Sequence, residues 1–229
     1  NGDGLDDFFI GAAAGSDGAV FIQQKSGKFL QQPLPHDNHA DDMGALFFDA
    51  DKDGDLDLYV VSGGTTAEKK GNAIYQDRLY MNDGKGKFSL SVNGLPAMNN
   101  SGASVVAADY DKDGDLDLFV CISYKQMERG KNPMSPKSFL LRNDVSNDAA
   151  KFTDVTAAQL PQQGDMGMVT SALWTDFDND GWIDFVVAGE FMPITFLKNN
   201  NGQFRNQKSE ILNSSGWWNS LVAGDFDND

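Results

Sequence analysis

One string of aspartates recurs along the chain, at a spacing that could hold a metal ion. Its complete copies read D-x-D-x-D-G-x-x-D and lie at residues 49–57, 109–117 and 176–184. Residues 1–7 begin at the third position of the same string, and residues 225–229 stop at its fifth. Carboxylates at positions 1, 3 and 5 of a tight loop can converge on Ca²⁺, which takes about six to eight oxygen ligands. Gly at position 6 permits the sharp turn that such a loop needs.

The residues after the string distinguish it from an EF-hand, which opens in the same way. An EF-hand needs a Glu at position 12 and helices on both sides. Position 12 here is Val60, Val120 or Val187, within strand-like runs. The closing acid is therefore predicted at position 9, with the backbone carbonyl of position 7 as a further ligand. Ca²⁺ is favoured over Mg²⁺, which prefers stricter octahedral geometry and fewer carboxylates.

The alternative to a cation site is a set of solvated turns, because Asp and Gly are common turn residues. Repetition argues against it: four carboxylates packed together without a cation would repel one another strongly, and the chain has three complete copies. A structural role for the ions is favoured over a catalytic one, since all four carboxylates are used on the ion.

The Asp strings are spaced like the units of a repeat protein. Position 5 falls at intervals of 50, 60, 67 and 49 residues. Strand-like runs precede the string at 46–48, 105–107, 172–174 and 221–223, and follow it at 8–10, 58–61, 118–122 and 185–187. A third run lies at 20–22, 79–81, 139–141 and 195–197, and a fourth begins at 28, 87, 151 and 203. Four antiparallel strands in about 50 residues are typical of a β-propeller blade.

The predicted fold is therefore all-β, a β-propeller built of four-stranded antiparallel blades. The predicted units are a partial blade at 1–35, blades at 43–92, 102–156 and 168–208, and the start of another at 217–229. Four repeats indicate a fragment of a longer propeller. A four-bladed ring is the alternative, with residues 221–223 completing the opening blade. An open arc would expose sheet edges that are prone to association.

Composition limits the classes of partner. The chain has 34 Asp and Glu against 18 Lys and Arg, a net charge of −16, which disfavours nucleic acid and anionic membranes. No apolar run approaches the roughly 20 residues of a membrane-spanning helix. The single cysteine, Cys121, excludes a disulfide scaffold and is predicted to be a small buried hydrophobe.

A partner is expected on the face opposite the Asp strings, where the longer connections gather. Trp217 and Trp218 could stack on a sugar, and at most one should be exposed because adjacent strand residues face opposite ways. His36 and His39 could bind zinc or supply a general base, although a surface turn is the simpler interpretation. Two connections are basic, 63–76 and 124–137, and are interpreted first as solvated loops.

The repeats resemble FG-GAP/VCBS repeats, the calcium-loop blades of the integrin α-chain propeller and of many bacterial secreted proteins. Residues 80–88 and 216–225 are further similar to the bacterial branch associated with ASPIC/UnbV domains. The resemblance implies a propeller, commonly seven-bladed, with calcium in the loops that join strands 1 and 2 of each blade. Integrin blades begin with Phe-Gly, where this chain has Met43-Gly44 or Ser101-Gly102, so adhesion to a named ligand is not implied.

Carried over by position, the resemblance implies a set of metal ligands. The carboxylate ligands are Asp49, Asp51, Asp53 and Asp57; Asp109, Asp111, Asp113 and Asp117; and Asp176, Asp178, Asp180 and Asp184. The position 7 carbonyls come from Asp55, Asp115 and Trp182, and the cut copies add Asn1, Asp3, Asp7, Asp225, Asp227 and Asp229.

Two classes of function follow. The first is a non-enzymatic, calcium-binding module of a secreted, cell-surface or periplasmic protein, serving as a scaffold for a protein or glycan ligand. Asp loops of this kind fill where Ca²⁺ is millimolar, outside the cytosol. The alternative is a calcium-dependent, lyase-like enzyme acting on polysaccharide, with His36 or His39 and loop lysines as acid and base. No catalytic motif is recognised in the sequence.

Overall fold

The computed structural model describes residues 2–35, 39–64, 72–124, 136–146, 149–207, 215–224 and 226. These residues form sixteen strands in four antiparallel sheets, which we call blades 1 to 4 in chain order. Blade 1 consists of β1 (Phe8–Ile10), β2 (Ala19–Gln23) and β3 (Phe29–Pro33). Blade 2 consists of β4 (Asp41–Phe48), β5 (Asp57–Gly63), β6 (Arg78–Asn82) and β7 (Phe88–Leu90).

Blades 3 and 4 repeat this order. Blade 3 consists of β8 (Ser101–Ala108), β9 (Asp117–Tyr124), β10 (Phe139–Asn143) and β11 (Phe152–Asp154). Blade 4 consists of β12 (Met168–Thr175), β13 (Asp184–Met192), β14 (Thr195–Asn200) and β15 (Gln203–Gln207), and β16 (Gly216–Trp217) pairs with β13. The expected all-β fold is confirmed, because the sheets are built of strands alone. Neighbouring strands within each sheet follow one another in the sequence, as expected for propeller blades.

In the described residues, helical structure is confined to short connections. Helix α1 (Thr156–Gln159) and a 3₁₀ turn (Pro161–Gly164) lie between blades 3 and 4, and a second 3₁₀ turn (Asn72–Tyr75) precedes β6. The described part of the chain contains no helix with the length and hydrophobicity needed to cross a bilayer.

The first strands of successive four-stranded blades lie against one another. Strand β8 contacts both β4 and β12. Each of the three has a β-bulge near its start, between Asp42 and Gly44, between Gly102 and Ser104, and between Val169 and Ser171. A Cβ added at Gly44 would lie 3.0 Å from the Ala103 carbonyl oxygen. Glycine at this position therefore allows β4 and β8 to approach closely.

Blades 2 and 3 bury side chains on both faces, because successive strand residues point to opposite sides. In blade 2, Tyr59, Val61 and Leu79 belong to the cluster shared with blade 3. Their neighbours Leu58, Val60 and Tyr80 belong to the cluster shared with blade 1. A third cluster joins blades 3 and 4 and contains Cys121, which is fully buried as expected. The second strands of blades 2, 3 and 4 are therefore largely continuous apolar runs rather than alternating ones.

The four-bladed ring that the sequence left open is not formed by the described residues. Blade 1 has three strands, and residues 221–223 are not in a strand. The Leu221 N–H instead donates to Ser171 Oγ of β12, at 3.1 Å. On blade 1, Phe8, Ile10 and Phe29 correspond to buried residues of the other blades but are 38%, 52% and 45% exposed.

A buried carboxylate joins β5 to the start of β6, at the end of blade 2 away from the Asp string. Asp77 accepts hydrogen bonds from the Tyr59 hydroxyl at 2.7 Å and from the Ser62 N–H at 2.8 Å. Burial raises the pKa of Asp77 to about 7, and these two donors offset only part of the effect.

We expect Asp77 to make folding stability fall as the pH rises from about 4 to about 7. Its pKa in the folded state lies above the value of 3.8 that applies when it is solvated. The folded state therefore keeps a proton that the unfolded state has lost, and this stabilisation disappears as the pH passes through 7. The free energy of unfolding of Asp77→Asn, measured with denaturant at several pH values, should fall less across this window than that of the parent protein. The difference should be up to about 4 kcal/mol.

The control is Asp17→Asn, at an exposed aspartate of blade 1. It should keep the slope of the parent protein. An Asp77→Asn profile as steep as that of the parent would contradict the assignment.

Candidate metal centres

The three complete Asp strings form loops between the first and second strands of blades 2, 3 and 4. We call them loop A (49–57), loop B (109–117) and loop C (176–184). Each loop starts directly after the first strand and ends on the residue that opens β5, β9 or β13. In all three, position 4 has a φ of 56° to 66° and position 6 a φ of 86° to 91°. These left-handed residues explain the glycine at position 6, because glycine adopts such angles without steric cost.

Three aspartates converge in each loop. One oxygen from each lies within 4.8 Å of the other two. The sets are Asp49, Asp51 and Asp53 in loop A; Asp109, Asp111 and Asp117 in loop B; and Asp176, Asp178 and Asp184 in loop C. Positions 1 and 3 are thus brought together in every loop, joined by position 5 in loop A and by position 9 in loops B and C.

Backbone hydrogen bonds orient the carboxylates within the loops. The position 1 carboxylate accepts from the N–H of the position 6 glycine, at 3.1, 3.1 and 2.8 Å in loops A, B and C. The position 5 carboxylate accepts from the N–H of position 7, at 2.9, 2.8 and 2.9 Å. Asp53, Asp113 and Asp180 are therefore held by their own loops. Ligation by the position 7 carbonyls of Asp55, Asp115 and Trp182 stays a prediction.

The position 9 aspartates are buried and bind two parts of the blade at once. Asp57, Asp117 and Asp184 each accept the N–H of position 2 through Oδ2, at 3.0, 3.2 and 3.2 Å. Through Oδ1 they accept the N–H of an asparagine that ends or nearly ends the third strand, at 2.8, 2.8 and 2.7 Å. Each carboxylate therefore joins its loop to the third strand.

Burial disfavours the ionised form of the carboxylates at positions 3 and 9. It raises the pKa of Asp57 to about 6 and that of Asp117 to about 8, and it also raises the pKa of Asp184. Burial, followed by the charge at position 5, raises the pKa of Asp51 and Asp111. An adjacent positive charge would favour the ionised form of each group.

The asparagine partners are functional residues that the sequence reasoning missed. The sequence analysis assigns no role to Asn82, Asn143 or Asn199, yet each supplies the N–H that holds a position 9 carboxylate. The available signal was an Asn one or two residues after the third apolar run of each complete repeat. In blade 1 the equivalent is Gln23, whose N–H donates to Asp7 Oδ1 at 2.8 Å.

Loop C differs from loops A and B because a lysine pairs directly with its position 3 and position 5 carboxylates. The Lys198 ammonium contacts the carboxylates of Asp178 and Asp180, and they hold the pKa of Lys198 above its usual range. The equivalent residue of blade 2 is Met81, and in blade 3 it is Arg142, which pairs with Asp144 outside the loop. An ion entering loop C would therefore compete with an ammonium group.

The donor sets fit a hard divalent cation such as Ca²⁺. They consist of carboxylate oxygens, which Ca²⁺ prefers, on a loop whose backbone is already turned toward one point. In loop B, Asp109 Oδ1 is buried and accepts no hydrogen bond from the described residues. A buried carboxylate oxygen without a partner is costly, and a cation would satisfy it.

The cut copies and the histidines are only partly described. Asp3 accepts the N–H of Leu5 at 3.0 Å, and the glycines on either side of it have φ of 68° and 78°, as in the complete loops. Asn1, His36, Asp225, Asp227 and Asp229 lie outside the described residues. His39 is exposed and lines a cleft of about 400 Å³ together with Arg78.

The two tryptophans lie at the end of blade 4 opposite loop C, because β16 pairs with the last residues of β13. Trp217 is 60% exposed and its ring packs against that of Phe191, with centroids 5.0 Å apart. Trp218 is partly buried, and its Nε1 donates to the Met192 carbonyl at 3.0 Å. Phe191 was missed by the sequence reasoning, which assigned it no role.

Comparison with known proteins identifies the repeats. A family model described as FG-GAP-like repeat matches residues 1–60, 66–120 and 176–229, which is well over half of the chain. The matched segments contain loops A, B and C. A search among curated proteins finds no match.

We expect loop C to bind Ca²⁺ more weakly than loops A and B, because the Lys198 ammonium must first leave the Asp178 and Asp180 carboxylates. Lys198→Met, which copies Met81 of blade 2, should raise the affinity of loop C by up to about fivefold, as expected for a partly exposed ion pair. Tb³⁺ luminescence sensitised by Trp182, which lies within loop C, reports on this loop.

The matched control is Lys137→Met, which removes the same charge next to the start of β10, at the opposite end of its blade. It should leave the affinity of loop C unchanged. Equal gains in the two variants would show a general charge effect rather than competition at the site.

Proposed function

Because the chain belongs to the FG-GAP-like repeat family, we propose that it is a non-enzymatic β-propeller module whose Asp loops bind Ca²⁺. The observation that carries this proposal is the convergence of three carboxylates in each of three loops with the same backbone conformation. One such loop could be a solvated turn. Three equivalent loops at the same place in three blades support a shared ligand.

The residues that would hold the ions are those of the converging sets, with the remaining position 5 or position 9 carboxylate of each loop and the position 7 carbonyls completing the shell. When bound, Ca²⁺ supplies positive charge that offsets the repulsion among these carboxylates and the cost of burying position 9. The chain's own contribution is to hold the loop closed, through the left-handed residues at positions 4 and 6 and the backbone bonds to positions 1, 5 and 9.

The proposed setting is extracellular, at a cell surface or in the periplasm. Family membership supports this, since FG-GAP-like repeats are typical of extracellular proteins. Ca²⁺ loops of moderate affinity also fill where the ion is millimolar, which is the case outside the cytosol. The buried free thiol of Cys121 is compatible with this setting, because burial raises its pKa to about 12 and keeps it unreactive.

The proposed ligand surface is the aromatic pair of Phe191 and Trp217, on the face opposite the loops. Phe191 is 66% exposed and has a φ of 57°, a backbone angle that is costly for a bulky residue. Residues with strained backbone angles cluster at active sites and ligand-binding sites. The pair offers flat apolar area for a sugar ring or a protein loop, so a glycan or protein ligand is proposed here.

The lyase-like alternative stays a prediction from the sequence. It depends on His36, which lies outside the described residues, and on His39, which is exposed near Arg78. A turnover assay on uronic-acid polymers tests it directly, with His39→Ala as the variant that should lose activity if the alternative holds.

Ca²⁺ should raise the melting temperature of the protein, because an ion that binds only the folded state stabilises it by mass action. At a concentration a hundredfold above the dissociation constant, each site adds about 2.7 kcal/mol. Thermal unfolding in millimolar Ca²⁺ and in excess EGTA measures the difference.

The control is the triple variant Asp51→Ala/Asp111→Ala/Asp178→Ala, which removes one converging carboxylate from each loop. Its melting temperature should respond little to Ca²⁺. Superimposable melting curves of the parent protein in Ca²⁺ and in EGTA would defeat the calcium proposal.

The proposed ligand surface leads to a separate prediction, the loss of glycan binding. Trp217→Ala should abolish binding to any glycan that the parent protein selects on a glycan array in Ca²⁺, since each stacked ring contributes directly to the contact. Phe29→Ala, at an exposed aromatic of blade 1, is the control and should bind as the parent does. Retained binding by Trp217→Ala would remove this surface from consideration.

A further inference from the structure

We propose that loops A, B and C bind their cations cooperatively, through a buried chain of hydrogen bonds that passes from blade 2 to blade 4. The inference rests on the proposed function, because it assigns a regulation to the same loops. Asn143 and Asn199 are the positioning residues that carry the coupling from one blade to the next.

The first link joins loop A to loop B. The Ala50 N–H donates to Asp57 Oδ2 at 3.0 Å, and the Ala50 carbonyl accepts the side-chain amide of Asn143 at 2.7 Å. Ala50 belongs to blade 2, whereas Asn143 ends β10 of blade 3. The backbone N–H of Asn143 then donates to Asp117 Oδ1 at 2.8 Å. The position 9 carboxylates of two neighbouring loops are thus joined through two residues.

The second link repeats the first between loops B and C. The Tyr110 N–H donates to Asp117 Oδ2 at 3.2 Å, and the Tyr110 carbonyl accepts the side-chain amide of Asn199 at 2.8 Å. The backbone N–H of Asn199 donates to Asp184 Oδ1 at 2.7 Å. Asp117 therefore belongs to both links: its Oδ1 accepts from Asn143 and its Oδ2 accepts from Tyr110.

Every residue that takes part in these two links is buried, with a relative exposure of 0% or 1%. Buried hydrogen bonds are stronger than exposed ones, and breaking one leaves a polar group that water cannot satisfy. A shift of a position 9 carboxylate toward an ion would therefore move the residue bound to it rather than break the contact. The third strand of the next blade, which carries the asparagine, would then be displaced as well.

A second set of contacts runs in the same direction at the surface. Position 4 of one loop touches position 7 of the next: the Lys52 ammonium pairs with Asp115, and the Lys112 ammonium lies 4.2 Å from the Trp182 ring centroid. Such partly exposed contacts contribute less than the buried hydrogen bonds. They nevertheless restrain loops B and C at the residue whose carbonyl is the expected ligand.

Positive cooperativity follows from the cost of ordering. A cation that fixes one loop also fixes the peptide that the neighbouring asparagine holds, so the next cation pays less to order its own loop. Such coupling changes affinities by typically fivefold or more. Loop B should have the largest influence, since it lies between the other two.

The first test removes loop B alone. Asp111→Ala deletes one of its converging carboxylates and leaves both asparagines in place. Calorimetric titration with Ca²⁺ should then show at least about a fivefold loss of affinity at the two remaining sites. Unchanged affinities at loops A and C would overturn the coupling.

The second test breaks one link. Asn143→Leu keeps the side-chain size and the backbone N–H to Asp117 but cannot donate to Ala50. In this background the affinity of loop A should no longer depend on whether Asp111 is present. The matched control is Asn82→Leu, because the Asn82 side-chain amide bonds to Leu56 within its own blade, at 3.1 Å. Whatever its effect on the affinity of loop A itself, this variant should leave the dependence of that affinity on Asp111 intact.

The outcomes separate this inference from the proposed function. If the parent protein binds no Ca²⁺ in the titration, the calcium proposal fails and the coupling with it. If it binds Ca²⁺ at independent sites, only the coupling fails. A lowered melting temperature in Asn143→Leu without loss of the dependence would mean that Asn143 is merely structural. If Asn143→Leu does not fold, the Asp111→Ala titration alone decides.

Discussion

The rest of the structure depends on the hydrogen bonds of one buried carboxylate, at position 9 of each complete Asp string. Asp57, Asp117 and Asp184 each open a central strand, and each accepts one N–H from its own loop and one from the end of the third strand. One group thus sets the loop conformation and the register of the hairpin beside it. A charged group could hold this place in an apolar blade only with its lone pairs satisfied, which is why donors surround it.

The same contact explains why the loops sit so close to one another. The residues that bind a position 9 carboxylate on its loop side, Ala50 and Tyr110, offer their carbonyls to the next blade. Blades that pack through apolar faces are therefore also joined by polar contacts at the loop end, where the faces meet the acidic surface. The apolar clusters give most of the cohesion, because hydrophobic burial scales with area, and the amides fix the relative position of the blades.

Much of the fold followed from the sequence. The runs around each Asp string predicted the strands of blades 2 to 4, because their β-branched and aromatic residues match sheets buried on both faces. Residues 221–223 are the exception: their composition matches that of the other first strands, but they lie beside β12 without strand pairing. Strand pairing depends on a partner at the right place, and composition does not report that.

What the sequence by itself determined is the repeat, the Asp loops and the left-handed turn at the position 6 glycine, because each depends on residues close together in the chain. Only the tertiary structure decided which carboxylates converge, that Lys198 competes in loop C, and that Asn143 and Asn199 reach across to the preceding blade. These contacts join residues up to 93 positions apart. They form when blades stack face to face, and no local pattern encodes the distance between two side chains brought together by packing.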